Sequence, residues 1–245
     1  MLSVIIITKN EEDNIRRCLE SVRFADEIIV IDSGSTDATV DIAREFTSHV
    51  FLMDWQGYGV QKQRALEKAT GDWVLNLDAD ESLSDLLQAD IQRVVQENAA
   101  DGYRIPIRMC FYGKPLRYSY SPTRHIRLFK RKGAFYSPIL VHENITLPES
   151  AHILQLKNHI WHSSFQDLSH AINKINRYSS YGAQIRIDNK KSGSFLKTIA
   201  ASTWMFFRCY LLQRGFLDGK PGFFLACLNS QASFYKGMKQ IYRDI

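Results

Sequence analysis

The sequence predicts an α/β protein built on a mostly parallel sheet with helices on both faces. Two observations lead to this prediction. Short β-branched runs alternate with amphipathic segments through the first hundred residues, and the first run, residues 2–8, is apolar, like a strand buried on both faces. With 245 residues, 45% of them hydrophobic, the chain can bury one large core, or a domain with an extension.

Each predicted element has its own local signal. Asn10 is a good N-cap for the first helix, and the acidic residues after it suit the positive helix end. A helix is expected after each early strand, with Thr70-Gly71 ending the third and the fourth ending near Asn98. The predicted strands are 2–8, 27–31, 49–53 and 73–77. Beyond Gly102, short aromatic and basic strands precede helices predicted at 165–187, 195–212 and 222–242.

Composition changes near Asp101 and Asp188, and these are the candidate boundaries. We expect one domain over residues 1–188, with halves 1–101 and 102–188, and a basic, aromatic helical extension over 189–245. The net charge of +5 is unevenly distributed. Residues 1–103 carry nine basic and twenty acidic side chains, 104–132 carry nine basic and none acidic, and 190–245 carry nine basic and two acidic. An acidic half can hold a metal and basic blocks can hold phosphates or an anionic surface, although ordinary solvated faces are the alternative.

The sequence disfavours several classes of protein. The four cysteines form no CxxC pair, so neither a zinc ribbon nor a thioredoxin motif fits, and reduced thiols in the cytoplasm are expected. The first residues lack a basic leader, and their apolar run is too short for a signal peptide. The phosphate-binding loop of the P-loop ATPases is absent.

Polar side chains follow three of the predicted strands. Thr8 and Asn10 follow the first, Asp32 follows the second, and Asp78 and Asp80 follow the fourth. Ligands bind at the carboxyl ends of strands in open α/β sheets, so these clusters predict a site. Two carboxylates one residue apart can hold a hard divalent ion that keeps water or phosphate in its other positions. Taken alone, Asp32 is better explained by turn chemistry, and a solvated loop is the alternative for the acidic pair.

Together, several stretches of the chain resemble the family 2 glycosyltransferases. They are SVIIITKNEE (3–12), VIDSGSTDAT (30–39), residues 61–66, ATGDWVLNLDADE (69–81), the pair His142-Glu143 and RGFLDGKPGF (214–223). The resemblance is greatest to the bacterial enzymes that add a β-linked glucose to inner-core heptose of lipopolysaccharide or lipooligosaccharide. It implies a GT-A fold, a nucleotide-sugar donor that is usually a UDP-sugar, and a lipid-linked saccharide acceptor. Residues 1–101 would then bind the donor and 102–188 the acceptor.

The resemblance also implies roles for the residues of the first half. Thr8, Asn10 and Asp32 would contact the nucleoside. Asp78 would lie near the ribose or the metal, and Asp80 would ligate Mg²⁺ or Mn²⁺ directly, which makes the reaction metal-dependent. Lys62 and Arg64 lie on a helix facing this edge, and one of them would touch the nucleotide. A surface helix charge is an equal alternative for both.

Inverting glycosyl transfer needs one general base, and the family takes an Asp or Glu from its second half. The acids between residues 103 and 165 are Glu143 and Glu149. Glu143 follows His142 at the position that matches the subgroup, so it is the predicted base, with a structural salt bridge as the alternative. His162 rather than His159 is predicted to complete the metal or diphosphate site. An ordinary core or surface histidine is the alternative.

The basic block 104–132 surrounds the strand that contains Arg124 and Arg127. Strict alternation would put Arg127 and Phe129 on one face, with Ile126, Leu128 and Lys130 on the other. Some of these cations are predicted to bind the diphosphate or a phosphorylated acceptor. Nucleic acid is not expected to be a partner, since no recognised nucleic-acid-binding motif is present.

The segment 195–212 is rich in aromatic residues but contains Lys197 and Arg208, and its uncharged part is too short to span a bilayer. Helical spacing brings these two cations to nearly one side, which leaves an apolar side with Phe195, Ile199, Phe206 and Tyr210. We expect an interfacial helix on an anionic membrane surface, at the inner face of the cytoplasmic membrane. Helices packed on the catalytic domain, or a homo-oligomer contact, are the alternatives.

The sequence also bears on other possible functions. A sugar-phosphate nucleotidyltransferase would have a glycine-rich loop after its first strand, where this chain reads Thr8-Lys9-Asn10-Glu11-Glu12. A glycosyltransferase acting on another cell-envelope polysaccharide remains open. A non-enzymatic nucleotide-binding protein is disfavoured by the two aspartates together with Glu143.

Overall fold

The computed structural model describes residues 1–111, 114–119, 123–137, 145–165 and 168–242. The chain divides into two compact units, each made of two segments. The first unit contains Met1–Ile107 and Thr123–His162, and the second contains Arg108–Pro122 and Ser163–Ile245. The predicted boundary at residue 188 lies inside the second unit. The separate roles predicted for residues 1–188 and 189–245 stay predictions.

The first half of the first unit is a parallel sheet with its connecting helices. Its strands are β1 (Leu2–Thr8), β2 (Glu27–Asp32), β3 (Val50–Leu52) and β4 (Trp73–Asp78), and its helices are α1 (Glu12–Glu20), α2 (Thr39–Arg44) and α3 (Tyr58–Lys68). The strand order is β3-β2-β1-β4, and all these pairs are parallel. All seven residues of β1 are buried, as its β-branched sequence predicts for a central strand.

The sheet continues with mainly antiparallel strands. The remaining elements before the helical region are β5 (Glu81–Leu83), α4 (Asp85–Glu97), β6 (Gly102–Phe111), β7 (Lys114–Pro115), β8 (Thr123–Lys130), β9 (Phe135–Tyr136), β10 (Ile145–Thr146), β11 (Ile153–Gln155) and β12 (Ile160–Phe165). The full order is β3-β2-β1-β4-β8-β6-β12-β5, with β11 and β7 also paired to β6. Strand β8 is antiparallel to both β4 and β6, and β9 and β10 form a separate hairpin pair.

Apolar side chains fill both faces of the sheet. One cluster joins Ile6 and Leu75 to helices α1, α2 and α4 through Leu19, Ala43 and Leu87. The second cluster joins alternate strand residues to α3 and β9. Helices therefore cover both faces, and the predicted fold class is confirmed, with a mixed rather than wholly parallel sheet.

The structure corrects two local predictions. Asn10 is not an N-cap: α1 begins at Glu12, and Asn10 adopts a left-handed backbone conformation with φ of 55°. Strict alternation in β8 is also wrong. A bulge pairs Tyr103 with Leu128 but Arg104 with Ile126, so Arg127 is the extra residue. Ile126 consequently packs in the cluster of Phe129 and not with Leu128.

The second unit is mostly helical. Its elements are α5 (Leu168–Asp188), α6 (Phe195–Phe207), a π-helical turn (Arg208–Leu212), a 3₁₀ turn (Gly215–Asp218) and α7 (Lys220–Tyr242). Small residues lie where α6 and α7 cross: a Cβ on Gly237 would overlap Thr198, and the Ser230 hydroxyl donates to the Ser202 carbonyl oxygen at 2.9 Å. None of the helices in the described ranges is long and apolar enough to cross a membrane.

Asp218 anchors a loop within this unit. Its carboxylate accepts hydrogen bonds from the backbone amides of Arg117, Tyr118 and Ser119 at 2.7–3.0 Å, and from the Ser119 hydroxyl at 2.6 Å. Burial alone would raise the pKa of Asp218, but these hydrogen bonds outweigh burial and lower it. Beside this anchor, a Cβ on Gly222 would overlap the carbonyl oxygen of Gly215.

Candidate functional site

The three polar clusters predicted from the sequence meet at one edge of the sheet. Thr8 pairs in register with Asp32, and Ile7 pairs with Asp78. The chain passes β1, β2 and β3 with α1 and α2 on one face and then returns to β4 through α3 on the other. This change of direction lies between β1 and β4, where open α/β sheets form their ligand crevice.

The loops after β1 and β2 are tied together at this edge. The Asn10 side-chain oxygen accepts a hydrogen bond from the Thr36 backbone amide at 2.8 Å, and the Asn10 backbone amide donates to the Ser35 hydroxyl at 2.8 Å. Asp32 is fully buried and accepts from the amides of Gly34 and Ser35 at 2.9 Å and from the Ser35 hydroxyl. The turn role considered for Asp32 is thus present. The buried Thr8 hydroxyl has no hydrogen-bond partner among the described residues.

A buried ion cluster lies at the end of β4. One carboxylate oxygen of Asp78 is 3.0 Å from the Lys62 ammonium nitrogen, and the other is 3.0 Å from a guanidinium nitrogen of Arg127. The same Arg127 nitrogen is 2.8 Å from Glu81, whose other oxygen accepts from the Asp78 amide at 3.0 Å. Lys62, Arg127 and Glu81 are buried. The cluster therefore groups two buried cations and the buried Glu81 around Asp78, whose side chain is partly exposed.

The titration of this cluster follows from its charges. Burial would raise the pKa of Asp78, but Lys62 and Arg127 hold it well below its usual value. Burial would lower the pKa of Arg127, but Glu81 and Asp78 raise it instead. Burial, together with the charges of Asp78 and Asp80, raises the pKa of Glu81 to about 7, although the charges of Arg127 and His162 act to lower it. Asp78 is therefore the permanently charged acid of the pair at neutral pH.

Asp80 and His162 lie next to each other in the same region. Strand β12 is antiparallel to β5 and places His162 opposite Glu81. The His162 Nε2 atom is 2.9 Å from an Asp80 carboxylate oxygen. Burial would lower the pKa of His162, but the hydrogen bond and charge of Asp80 raise it. The two residues predicted as metal ligands are thus neighbours.

The donor set of Asp80 and His162 fits a divalent cation that shares its coordination with a ligand. A carboxylate oxygen and an imidazole nitrogen supply two positions, and water or phosphate oxygens suit the others of a hard ion. No group of three or more His, Cys, Asp or Glu side chains suited to a metal occurs in the described parts of the chain. Asp80 and His162 would therefore supply two of the ligands of such an ion.

Two predicted site residues lie outside the ion cluster. The Arg64 guanidinium donates to the Asp54 carbonyl oxygen at 2.7 Å and to the Gln61 side chain at 2.8 Å, so it holds the loop after β3. Arg124 is exposed on β8, opposite Pro106. The predicted base, Glu143, lies with His142 outside the described residues.

Glu81 belongs to the site but was not predicted from the sequence. It directly follows the two aspartates, and β5 is three residues long, too short for a periodicity signal. Arg127 was predicted to bind substrate. Its Nη2 atom donates to the carboxylates of Asp78 and Glu81, whereas its Nε and Nη1 atoms have no hydrogen-bond partner among the residues described.

Comparison with known proteins adds independent findings. The family model described as "Glycosyl transferase family 2" matches residues 3–147. An uncharacterized glycosyltransferase of Rickettsia typhi is 32% identical over 96% of this chain and 85% of its own length. The lipopolysaccharide core biosynthesis glycosyltransferase LpsC of Rhizobium meliloti is 31% identical over 97% of this chain and 91% of its own. Among solved structures, S. aureus TarS 1–349 in complex with UDP matches with a TM-score of 0.50 and 15% identity, covering 99% of this chain and 91% of that one, which shows a shared fold.

Proposed function

The chain belongs to glycosyltransferase family 2 and has the GT-A fold, and we propose that it transfers glucose, with inversion, from a UDP-sugar to inner-core heptose of a lipid-linked saccharide. The observation that carries the proposal is the contact of Asp80 with His162 beside the Asp78 ion cluster. The similarity to LpsC supports an acceptor in the lipopolysaccharide core. A glycosyltransferase acting on another cell-envelope polysaccharide is the alternative.

The donor half of the site follows from the charges at the sheet edge. Asp80 and His162 would hold Mg²⁺ or Mn²⁺ together with the donor diphosphate. When bound, the ion supplies positive charge that stabilises the leaving diphosphate. Asp78, kept ionised by Lys62 and Arg127, is available to accept a hydrogen bond from a ribose hydroxyl.

The nucleoside would lie along the ends of β1 and β2. The buried Thr8 hydroxyl and the exposed Asn10 side chain offer polar contacts there. Asp32 already accepts three hydrogen bonds, and a carboxylate has about four acceptor positions, so one position remains for the N3–H of uracil. Such a contact would select uracil over cytosine, which has no proton at that nitrogen.

Glu143 is the proposed general base. It would take the proton from the acceptor hydroxyl as that oxygen attacks the anomeric carbon on the face opposite the leaving group. Positive charge develops on the sugar ring in such a step, as in glycoside hydrolysis. The exposed Arg124 would contact the diphosphate or a phosphorylated acceptor.

We extend the proposal to a peripheral location on the inner face of the cytoplasmic membrane. The buried side of α6 and the π-helical turn consists of small residues, namely Thr198, Ser202 and Cys209. Seven large apolar side chains are exposed, namely Phe195, Leu196, Ile199, Trp204, Phe207, Leu211 and Leu212, whereas Phe206 and Tyr210 contact the Phe223 ring of α7. This inverted pattern, with the basic charge of 190–245, supports binding to an anionic lipid surface. A homo-oligomer contact through this side is the alternative.

One experiment tests the proposed function directly. The full chain is screened against UDP-glucose, UDP-galactose and UDP-N-acetylglucosamine, with Mn²⁺, Mg²⁺ or EDTA, by thermal shift and by release of UDP. We expect stabilisation and slow hydrolysis with UDP-glucose and metal. A protein that responds to none of these donors under any condition would contradict the proposal.

A further inference from the structure

An exposed aromatic pair lies on the loop between β3 and α3. Trp55 and Tyr58 are 45% and 39% exposed, and their rings meet edge to face with centroids 4.7 Å apart. Neither residue belongs to the apolar clusters that cover the sheet. Aromatic rings of this size contribute most to stability when buried, so their exposure here favours a contact with a ligand.

The loop that carries this pair is held in place by specific hydrogen bonds. The Asp54 carbonyl oxygen and carboxylate both contact Arg64, at 2.7 and 3.2 Å. Gln61, which also bonds Arg64, donates to the Ser33 hydroxyl at 2.8 Å, directly after Asp32. A fixed loop presents its rings without the entropy cost of ordering them when a ligand arrives.

The position of the loop relates it to the nucleoside end of the site. Leu52, the last residue of β3, pairs in register with Asp32, and the Met53 backbone amide donates to the Asp32 carbonyl oxygen at 2.9 Å. Trp55 is three residues further on, which limits its backbone to about 10 Å from Leu52. The end of β4, with Asp78, is two strand spacings from β2, or about 10 Å. A ribose and a diphosphate bridge a gap of this order, which leaves the base next to the loop.

We propose that Trp55, supported by Tyr58, stacks on the uracil ring of the donor; this inference rests on the proposed function. Asp32 and Thr8 would contact the polar edge of the base, whereas Trp55 covers its face. Stacking does not depend on the hydrogen-bonding pattern of the base, so Trp55 would contribute affinity for any base. The polar contacts of Asp32 and Thr8 would select uracil.

The test compares ligands with and without a base. UDP and inorganic pyrophosphate, each with Mn²⁺, are titrated by calorimetry into the full chain and into Trp55→Ala, Trp55→Phe and Trp204→Ala. We expect Trp55→Ala to raise the Kd for UDP about tenfold or more and to leave the Kd for pyrophosphate unchanged. Trp55→Phe, which keeps a ring, retains most of the affinity. Trp204→Ala, an equal loss of an exposed indole elsewhere, changes neither Kd.

Each other outcome overturns the inference in a recognisable way. An unchanged Kd for UDP in Trp55→Ala removes the stacking role and leaves the proposed function intact. An equal loss of UDP and pyrophosphate affinity assigns Trp55 to the structure of the loop. A wild-type protein that binds pyrophosphate but no uridine nucleotide contradicts the proposed donor itself.

Discussion

The Nε2 atom of His162 lies 2.9 Å from a carboxylate oxygen of Asp80, although 82 positions of sequence separate the two residues. Antiparallel pairing of β12 with β5 creates this contact, because it places His162 opposite the residue that follows Asp80. The contact joins the acidic end of β4 to the last strand of the sheet at the candidate metal position.

Asp80→Ala should abolish metal-dependent binding and turnover of the UDP-sugar while the protein stays folded, because a residue after the end of β4 contributes little to the core. UDP release with Mn²⁺ and the melting temperature measure the two effects. Asp72→Ala, at the exposed opposite end of the same strand, is the control and should keep full activity. Near-normal turnover by folded Asp80→Ala would contradict the proposed role of Asp80 as a metal ligand.

Glu143→Gln should lower acceptor-dependent turnover by roughly 10²–10⁴ and leave the donor Kd almost unchanged, because a general base acts only as the new bond forms. Steady-state rates and donor titration separate the two quantities. The control is Glu149→Gln, which changes an exposed glutamate of the same segment. If the control loses activity instead, Glu149 is the base, and full activity in both variants would place the base elsewhere.

Arg127→Met should lower the free energy of unfolding by about 3 kcal/mol, because it leaves the buried Glu81 and the partly exposed Asp78 without their shared cation. Urea denaturation measures this loss. Arg93→Met removes an exposed arginine paired with Glu97 and should cost less than about 1 kcal/mol. Equal losses in the two variants would contradict the buried ion cluster.

The parts of the site that the sequence predicts are those set by neighbouring strands. Parallel strands end at a common edge, so Thr8, Asp32 and Asp78 could be brought together from their order along the chain. The contact of His162 with Asp80 depends on pairing between distant strands, which no local pattern encodes. His162 was therefore found only through the family resemblance.

The mispredicted features have equally physical causes. Alternation assumes a regular strand, but the bulge in β8 adds Arg127 as an extra residue and turns its side chain toward the carboxylates. For α6 the sequence predicts an apolar side but does not identify the residues that pack inside, and these are small ones such as Thr198 and Ser202.

Asp218→Asn should lower the free energy of unfolding by about 1–3 kcal/mol at pH 7, because it removes the charge that accepts the amides of Arg117, Tyr118 and Ser119. The folded-state pKa of Asp218 is depressed, so its contribution is complete above the unfolded pKa of about 3.9 and is lost as the pH falls toward the folded value. Unfolding at pH 7, 4 and 3 should show the difference from wild type shrinking.

A control for this prediction is Asp188→Asn, which changes an exposed aspartate at the end of α5 in the same unit. It should alter stability by less than about 0.5 kcal/mol at each pH. A difference between wild type and Asp218→Asn that does not depend on pH would show that the carboxylate charge is not what holds the loop.

Leu196→Ser combined with Trp204→Ser should weaken co-sedimentation with anionic vesicles, because both side chains lie on the exposed apolar side of α6. The loss should be greatest with phosphatidylglycerol-rich vesicles at low salt. Leu86→Ser removes a comparably exposed leucine, 68% against 78% for Leu196, from α4 in the other unit and is the matched control. If the wild-type protein does not bind such vesicles, a homo-oligomer contact becomes the explanation for the exposed apolar side of α6.

The close approach of the Gly222 backbone to the Gly215 carbonyl oxygen, which leaves no room for a Cβ, limits how this region can evolve. Any larger residue at 222 must displace the backbone at 215, and the displaced segment contains Asp218, which anchors Arg117 to Ser119. No single compensating substitution restores the fit, because the obstacle is main chain and not a side chain. Variation among descendants of this chain should therefore bypass position 222 and accumulate at neighbours such as the exposed Leu217. In saturation mutagenesis, position 222 should tolerate almost no substitution, whereas neighbouring positions should tolerate many.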